Sequence, residues 1–389
     1  MPPKPSAASD VLDLICFSHL RWSFVFQRPQ HLMTRYAHHH RVFYVEEAVL
    51  ADVPIPCWSL QKCDGVTVAV PQLPTELAPA WRTGALRGLL NELVEREQLT
   101  NYALWYYTPA ALSFSDHLEP AAVVYDCMDE LAAFKGAAAD LPALEARLME
   151  RADVVFTGGW SLFEAKRHLH HNIHAVPSSV DVAHFASARR QTFQPADQRE
   201  IPSPRLGFFG VLDERLDTAL LADLADLRPA YQWVMIGPVV KIAVAELPVR
   251  PNIHYLGSKT YAELPAYIAG WDVALLLFAQ NASTRFISPT KTPEYLAAGK
   301  PVVSTPIVDV VKTYGARDLV RIAEGAPAFA RACSAALAEP PEPRRGRADV
   351  FLRGMSWEGT WDRTATLLNA VVNRRTAAVV CDKILEAGA

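Results

Sequence analysis

The chain alternates short runs of β-branched and aromatic residues with longer stretches whose apolar positions recur at helical spacing. "VLDLICF" (11–17) reads as a first strand, Pro29 to Tyr36 as the helix after it, and "RVFYVEE" (41–47) as the next strand. A proline-rich stretch follows between Pro54 and Pro79, and "GALRGLLNELVERE" (84–97) returns to helical spacing. "ALWYY" (103–107), "AAVVYD" (121–126) and "DVVFT" (153–157) are continuous apolar runs, polar only at their ends, rather than alternating. That is the pattern of strands covered on both faces, as in a parallel sheet. Strand–helix alternation of this kind predicts a doubly wound α/β sheet.

The pattern breaks at "ASARRQTFQPADQREIPSP" (186–204), which is polar, carries proline and has no apolar period. It reads as an interdomain linker. The alternation then restarts with "RLGFFG" (205–210), a helix to about 228, "YQWVMIG" (231–237), "NIHYLG" (252–257), a helix over 261–269, "DVALLLF" (272–278) and "PVVST" (301–305). The expectation is two Rossmann-like domains facing a central cleft: residues 11–186, a linker over 187–204, and residues 205–355. Residues 356–389 open on helical spacing and are expected to cross back to the first domain, while the polar, proline-containing residues 1–10 read as a disordered tail.

Composition narrows the field only slightly. With 389 residues, 50% hydrophobic and 21% charged, and a net charge of -4, the chain has an ordinary globular make-up. Two domains fit that length. Nothing in the charge balance asks for a nucleic-acid partner. No apolar run approaches the roughly 20 residues that span a bilayer, and no secretory h-region opens the chain, so a cytosolic location is expected. The six cysteines are scattered without a CxxC pair, which suits a reducing compartment and speaks against a zinc site. The histidines at 38–40 and at 168, 170, 171 and 174 fall at expected helix ends, where a cation complements the dipole, so no metal is assigned to them. The absence of a GxGxxG turn argues against a dehydrogenase.

The densest chemistry lies in "SPTKTPEYLAAGKPVVST" (288–305). A helix is expected to start either with Thr292 as cap and Pro293 first, or with Ser288 as cap and Pro289 first. Gly299 supplies the left-handed residue that ends it. Either start sets Lys291 and Glu294 three residues apart near the first turn, able to face one side. Lys291 suits a phosphate there, and a carboxylate one turn deeper accepts two hydrogen bonds from a vicinal diol such as ribose. The other reading is a well-capped helix with an ordinary first-turn glutamate and a solvated lysine. In the first half, "YDCMDE" puts Asp126 and Asp129 at the C-terminal end of an expected parallel strand, where open α/β sheets bind ligands. Either aspartate also suits a helix cap.

This 288–305 stretch resembles the C-terminal-domain signature of GT-B glycosyltransferases of the family 4 type. "HLRWSFVFQRPQHLMTRYA" (19–37), "VVYDCMDELAAFKG" (123–136), "ADVVFTGGWSLFEAKR" (152–167) and "VPSSVDVAHF" (176–185) resemble a bacterial polysaccharide-biosynthesis subgroup, and "QRPQHL" is similar to teichuronic-acid biosynthesis glycosyltransferases. The resemblance extends over most of residues 11–370. It implies that Glu294 contacts the nucleotide ribose and that Lys291 lies beside the donor phosphates. It also implies a glycine turn at Gly210 followed by a basic residue on the diphosphate, for which Arg215 is the candidate, with Lys241 after "IGPVV" as a third cation. The loop "STRFISPT" (283–290), with Ser288 and Thr290, is expected beside the donor sugar. The family's E-x7-E pattern would place a sugar-contacting carboxylate at position 286, and this chain has Phe286 there.

By the same resemblance, Arg21, Gln27, Arg28 and His31 face the cleft on the acceptor side, with Asp126 or Asp129 standing near the reacting sugar. The implied activity is retaining, metal-independent and cofactor-free transfer of a sugar from a nucleotide-diphosphate donor to a glycan or lipid-linked acceptor. A lipid-linked acceptor would bring the protein to the inner face of the membrane as a peripheral partner. Two other readings share the architecture: a non-hydrolysing nucleotide-sugar epimerase, and a catalytically silent nucleotide-sugar-binding protein.

Overall fold

Uniformly apolar strands need cover on both faces, and the two sheets of this chain have it. The computed structural model describes residues 12–387, so the tail expected over residues 1–10 lies outside the described residues. The first sheet holds β1 (Asp13–Ser18), β2 (Val42–Glu46), β3 (Val49–Ala51), β4 (Cys57–Cys63), β5 (Val66–Pro74), β6 (Tyr102–Tyr106), β7 (Ala122–Cys127), β8 (Val154–Thr157) and β9 (Ile173–Ala175). Its lateral order is β3-β5-β2-β1-β6-β7-β8-β9, with β4 antiparallel on β5 and every other pairing parallel. The second sheet is parallel throughout. It holds β10 (Arg205–Phe209), β11 (Gln232–Ile236), β12 (Ile253–Tyr255), β13 (Val273–Leu276), β14 (Val302–Ser304) and β15 (Arg321–Ile322), in the order β12-β11-β10-β13-β14-β15. The protein is therefore α/β with two Rossmann-like domains.

Successive side chains of a strand point to opposite faces, and β1 shows it directly. Leu14 and Cys16 enter one buried cluster with Trp105, Val124 and Phe156, while Ile15 and Phe17 enter another with Leu104 and Tyr106. The helix Trp357–Ala387 covers the first of these faces, burying Trp357, Leu368 and Val371 in it. Tyr36 there donates to the Thr364 hydroxyl at 3.2 Å.

The short edge strands β3, β9 and β15 are absent from the sequence reading, and two larger features differ from it. The proline-rich stretch after Pro54 contains β4 and β5, joined by Asp64 and Gly65 in left-handed conformations (φ 51° and 85°). The segment 187–204 is not a free linker. Gln198, fully buried, donates to the Tyr267 carbonyl and accepts from the Trp271 indole (both 2.9 Å), and Arg189 donates to the Ala297 carbonyl at 2.7 Å. Val180 and Phe185 are also buried in the second domain's core, so the boundary lies before residue 180 rather than after 186. Polar side chains spent on a neighbouring surface read, in sequence, as a solvated linker.

Strand order reverses direction beside β1 in the first sheet and beside β10 in the second. Such switch points leave a crevice beyond the strand ends. His19 follows β1 and Gly210 follows β10, and both line the cleft between the domains.

Candidate functional site

The cleft has a volume of about 930 Å³. From the second domain it is lined by Gly210, Asp213, Arg215, Lys241, Thr290, Lys291 and Glu294; from the first by His19, Arg21, Gln27, Asp129 and Phe134. A smaller cavity of about 360 Å³ opens in the first domain beside Ser18, Glu46, Glu47 and Thr108. No lysine or arginine lines it, so an anionic ligand belongs to the larger cleft.

Local backbone geometry places the cations. The turn after β10 brings Gly210 (φ 141°) against the Lys291 side chain: a Cβ there would lie 2.1 Å from Cε and 2.7 Å from Nζ. Only glycine leaves Lys291 that path. Gly237 (φ 144°), after β11, is pressed just as closely onto the Gly210 carbonyl. Lys291 opens the helix Lys291–Ala297, which begins between the two starts the sequence suggested. Gly299 (φ 73°) ends it, donating to the Leu296 carbonyl at 2.9 Å. Tyr295 fixes the helix to β10 by accepting the Phe209 N–H at 3.0 Å. Arg215 is held by Asp213, itself 3% exposed, through Nε to Oδ1 (3.0 Å) and Nη2 to Oδ2 (2.6 Å). Lys241 sits in a left-handed conformation (φ 63°), uncommon for a residue with a side chain, with its ammonium 3.6 Å from Glu214.

Burial shapes the charges. It pushes the Glu294 carboxyl up, against the pull of Lys291, and it brings the Lys291 ammonium down, helped by the nearby Arg215. Glu294 is 6% exposed, and its Oε2 has no hydrogen-bond partner. Across the cleft, burial raises Asp129, opposed by Arg215, Lys291 and Lys241. Burial also brings His19 down to about 4, with Lys241 and Arg215 adding to the effect against the opposing Tyr107 backbone. His19 is neutral at pH 7.

The structure gathers Gly210, Arg215, Lys241, Thr290, Lys291, Glu294, Asp129, Arg21 and Gln27 around one cleft. Four expected site residues lie elsewhere. Arg28 and Asp126 are both fully buried and bind each other: Arg28 Nε donates to both carboxylate oxygens (3.1 and 3.0 Å), and Nη1 donates to the Val176 carbonyl at 2.8 Å. Together they tie the helix Arg28–Tyr36 to β7, and neither lines the cleft. His31 stacks on Trp357 (ring centroids 4.3 Å) and packs edge-on to Phe26, inside an aromatic contact that reaches Tyr261 of the second domain. Ser288 lies at the seam between the domains, where a Cβ on Gly159 would be 2.7 Å from its own Cβ.

"QRPQ" accordingly reads as scaffolding more than as contact. Gln30, fully buried, donates to the Trp22 and Val25 carbonyls (2.9 and 3.0 Å) and accepts from the Gln27 N–H (3.0 Å). Arg21 donates to Glu46 (2.9 Å) and to the Glu47 carbonyl (2.6 Å), fixing the other end of the loop.

Two cleft residues, His19 and Phe134, and Asp309 at the seam between the domains fall outside the sequence reading. His19 and Phe134 sat inside quoted motifs but were not singled out, although both follow strand ends. Asp309, 2% exposed, accepts the N–H groups of Trp160 and Ser161 (2.9 and 2.8 Å), so a second-domain carboxylate caps a first-domain helix. Phe286 packs against the first domain's core, which gives the residue at the expected carboxylate position an interdomain role. Among the described residues, no group of three or more His, Cys, Asp or Glu side chains gathers as a metal site, and no helix is long and apolar enough to cross a membrane.

Comparison with known proteins places this geometry in context. Residues 203–339 match the family model of glycosyl transferases group 1. TuaH of Bacillus subtilis strain 168, described as a teichuronic acid biosynthesis glycosyltransferase, is 29% identical over 222 residues, 52% of this chain and 55% of TuaH. The chain thus matches about half the length of that curated relative. A UDP-forming α,α-trehalose-phosphate synthase from Burkholderia xenovorans superposes with a TM-score of 0.67 at 14% identity, covering 93% of this chain and 99% of its own. Sucrose-phosphate synthase from Thermosynechococcus elongatus gives 0.66 at 14% identity over 93% and 100%. HepE from Anabaena, solved in complex with UDP, gives 0.63 at 12% identity over 92% and 100%. At these identities the likeness establishes the fold, GT-B.

Proposed function

We propose that this chain, with a group 1 glycosyl transferase match over residues 203–339 and a GT-B fold, transfers a sugar from a nucleoside-diphosphate donor to an acceptor hydroxyl. The acceptor is a glycan or a lipid-linked glycan, and the anomeric configuration is retained. The observation that carries this reading is the Glu294 carboxyl group, buried at the cleft with Oε2 unpartnered, one helical turn from the half-buried Lys291. A buried acceptor without a donor calls for an explanation, and a ribose diol supplies two hydroxyl donors.

The diphosphate then lies toward Lys291, Arg215 and Lys241. As the anomeric C–O bond breaks, negative charge grows on the β-phosphate, and these fixed cations stabilise it without reorganising. Because protein side chains supply that charge, the reading assigns no metal and no cofactor. The acceptor oxygen bonds to the anomeric carbon, and its proton passes to the departing phosphate oxygen. The first-domain loop carrying Arg21 and Gln27 forms the facing wall, where an acceptor is held beside the donor sugar.

The test is nucleotide affinity. Glu294→Ala is expected to weaken the preferred nucleoside diphosphate by about 10- to 100-fold, the worth of two hydrogen bonds at the ribose. Calorimetry with UDP, GDP and dTDP reads this directly. Wild-type affinity in the variant for every nucleotide that binds would remove Glu294 from the ribose. Product NMR showing inversion would overturn the stereochemical part.

A further inference from the structure

After β7 the first domain sends residues 128–136 across the cleft. Asp129 lines the cleft, and Glu130 anchors the segment to its own domain through Lys166 (2.9 Å). A 3-10 turn, Leu131–Ala133, then presents Phe134 to the second domain. The Phe134 ring centroid lies 4.4 Å from the Lys241 ammonium and 5.3 Å from the Arg215 guanidinium carbon. Next to it the Lys135 N–H points to the Glu214 carboxylate at 3.4 Å, and Glu214 is also the ion partner of Lys241. Gly136 (φ 80°) turns the chain back. One aromatic ring of the first domain therefore covers two cations of the second.

We propose that Phe134 is a positioning residue for the donor diphosphate, holding Arg215 and Lys241 in the orientation that receives it. The inference rests on the donor reading above and adds a residue outside the phosphate-binding domain to it. A ring face attracts cations, so its contact persists only while both side chains stay beneath it. Long cationic side chains otherwise lose rotamer freedom when a ligand orders them, and a ring that orders them beforehand removes that cost from binding. Lys241 depends on this most. Its side chain is 41% exposed and its salt bridge is long, whereas Arg215 is also gripped by Asp213.

The 389-residue chain and two variants test it by calorimetry with UDP, GDP and dTDP as probes. Phe134→Leu keeps apolar bulk and removes the ring face; Phe134→Tyr keeps the ring. The expected result is a loss of about tenfold in nucleoside-diphosphate affinity for Phe134→Leu, near-wild-type affinity for Phe134→Tyr, and unchanged melting temperatures without ligand. Equal affinities of wild type and Phe134→Leu would overturn the role of Phe134 and leave the donor reading standing. An equal loss in both variants, or a fall in melting temperature that accounts for it, would show a packing role and overturn the proposal. If the wild type binds none of the three nucleotides, the donor reading fails and this inference fails with it.

Discussion

Lys291→Ala is expected to lower turnover by about 10²- to 10³-fold, the range seen when one preorganised stabiliser of transition-state charge is removed. Nucleoside-diphosphate affinity is expected to fall by much less, because the charge Lys291 meets grows as the donor bond breaks. Its placement supports that division. The side chain is routed over Gly210, where no other residue leaves room, and burial, helped by Arg215, weakens its hold on its own proton. Glu294 lies one helical turn along the same helix and is the main carboxylate opposing that loss. Removing Lys291 leaves Glu294 buried without its counter-charge, so some loss of ribose binding accompanies the loss of turnover. Release of nucleoside diphosphate from the donor sugar, measured at saturating donor, separates the two effects. A wild-type rate at saturation would exclude Lys291 from the chemistry.

Arg28→Ala is expected to destabilise the first domain by about 3–5 kcal/mol, the cost of leaving a buried carboxylate without its partner. Asp126 would remain fully buried beside the sheet, where burial already raises its pKa against the pull of Arg28. The Val176 carbonyl would lose a donor as well. Replacing both members with apolar residues of similar volume, Arg28→Met with Asp126→Leu, is expected to restore most of the loss. Urea unfolding followed by fluorescence of the first domain's tryptophans reads these differences. If Arg28→Ala unfolds like wild type but loses activity, Arg28 touches substrate and its scaffolding role is wrong.

The fate of Arg28 and Asp126 shows where sequence reading stops. Both stand in motifs at the ends of elements bordering the cleft, and nothing local says that one side chain turns inward. Their partnership spans 98 positions and depends on how the helix Arg28–Tyr36 packs beside β7. Asp309 capping a helix 148 positions away, and Phe286 packing on the other domain, are equally non-local. Elements with a local physical cause were legible. Strands β1, β2, β6, β7, β8 and β10 to β14 were, because double cover makes them almost wholly apolar, and so was the Gly299 helix stop, whereas the short edge strands β3, β9 and β15 were not. The hairpin of β4 and β5 had a local signal that the prolines masked: Asp64-Gly65 is a turn dipeptide, while Pro71 and Pro74 discourage a strand assignment. At the site, Lys291 and Glu294 were legible because both charges belong to one helix. Phe134 was not, because its importance comes from cations more than 80 positions away.

The central claim is that the cleft receives a nucleoside diphosphate on Lys291, Arg215 and Lys241 with Glu294 at the ribose. Thermal unfolding of the wild type with UDP, GDP and dTDP, each beside its monophosphate, tests it most directly. The account predicts that at least one diphosphate stabilises the protein, by about 2.7 kcal/mol at a hundredfold excess over its Kd, and more than its monophosphate does. No stabilisation by any nucleoside diphosphate, or equal stabilisation by the monophosphates, would contradict it.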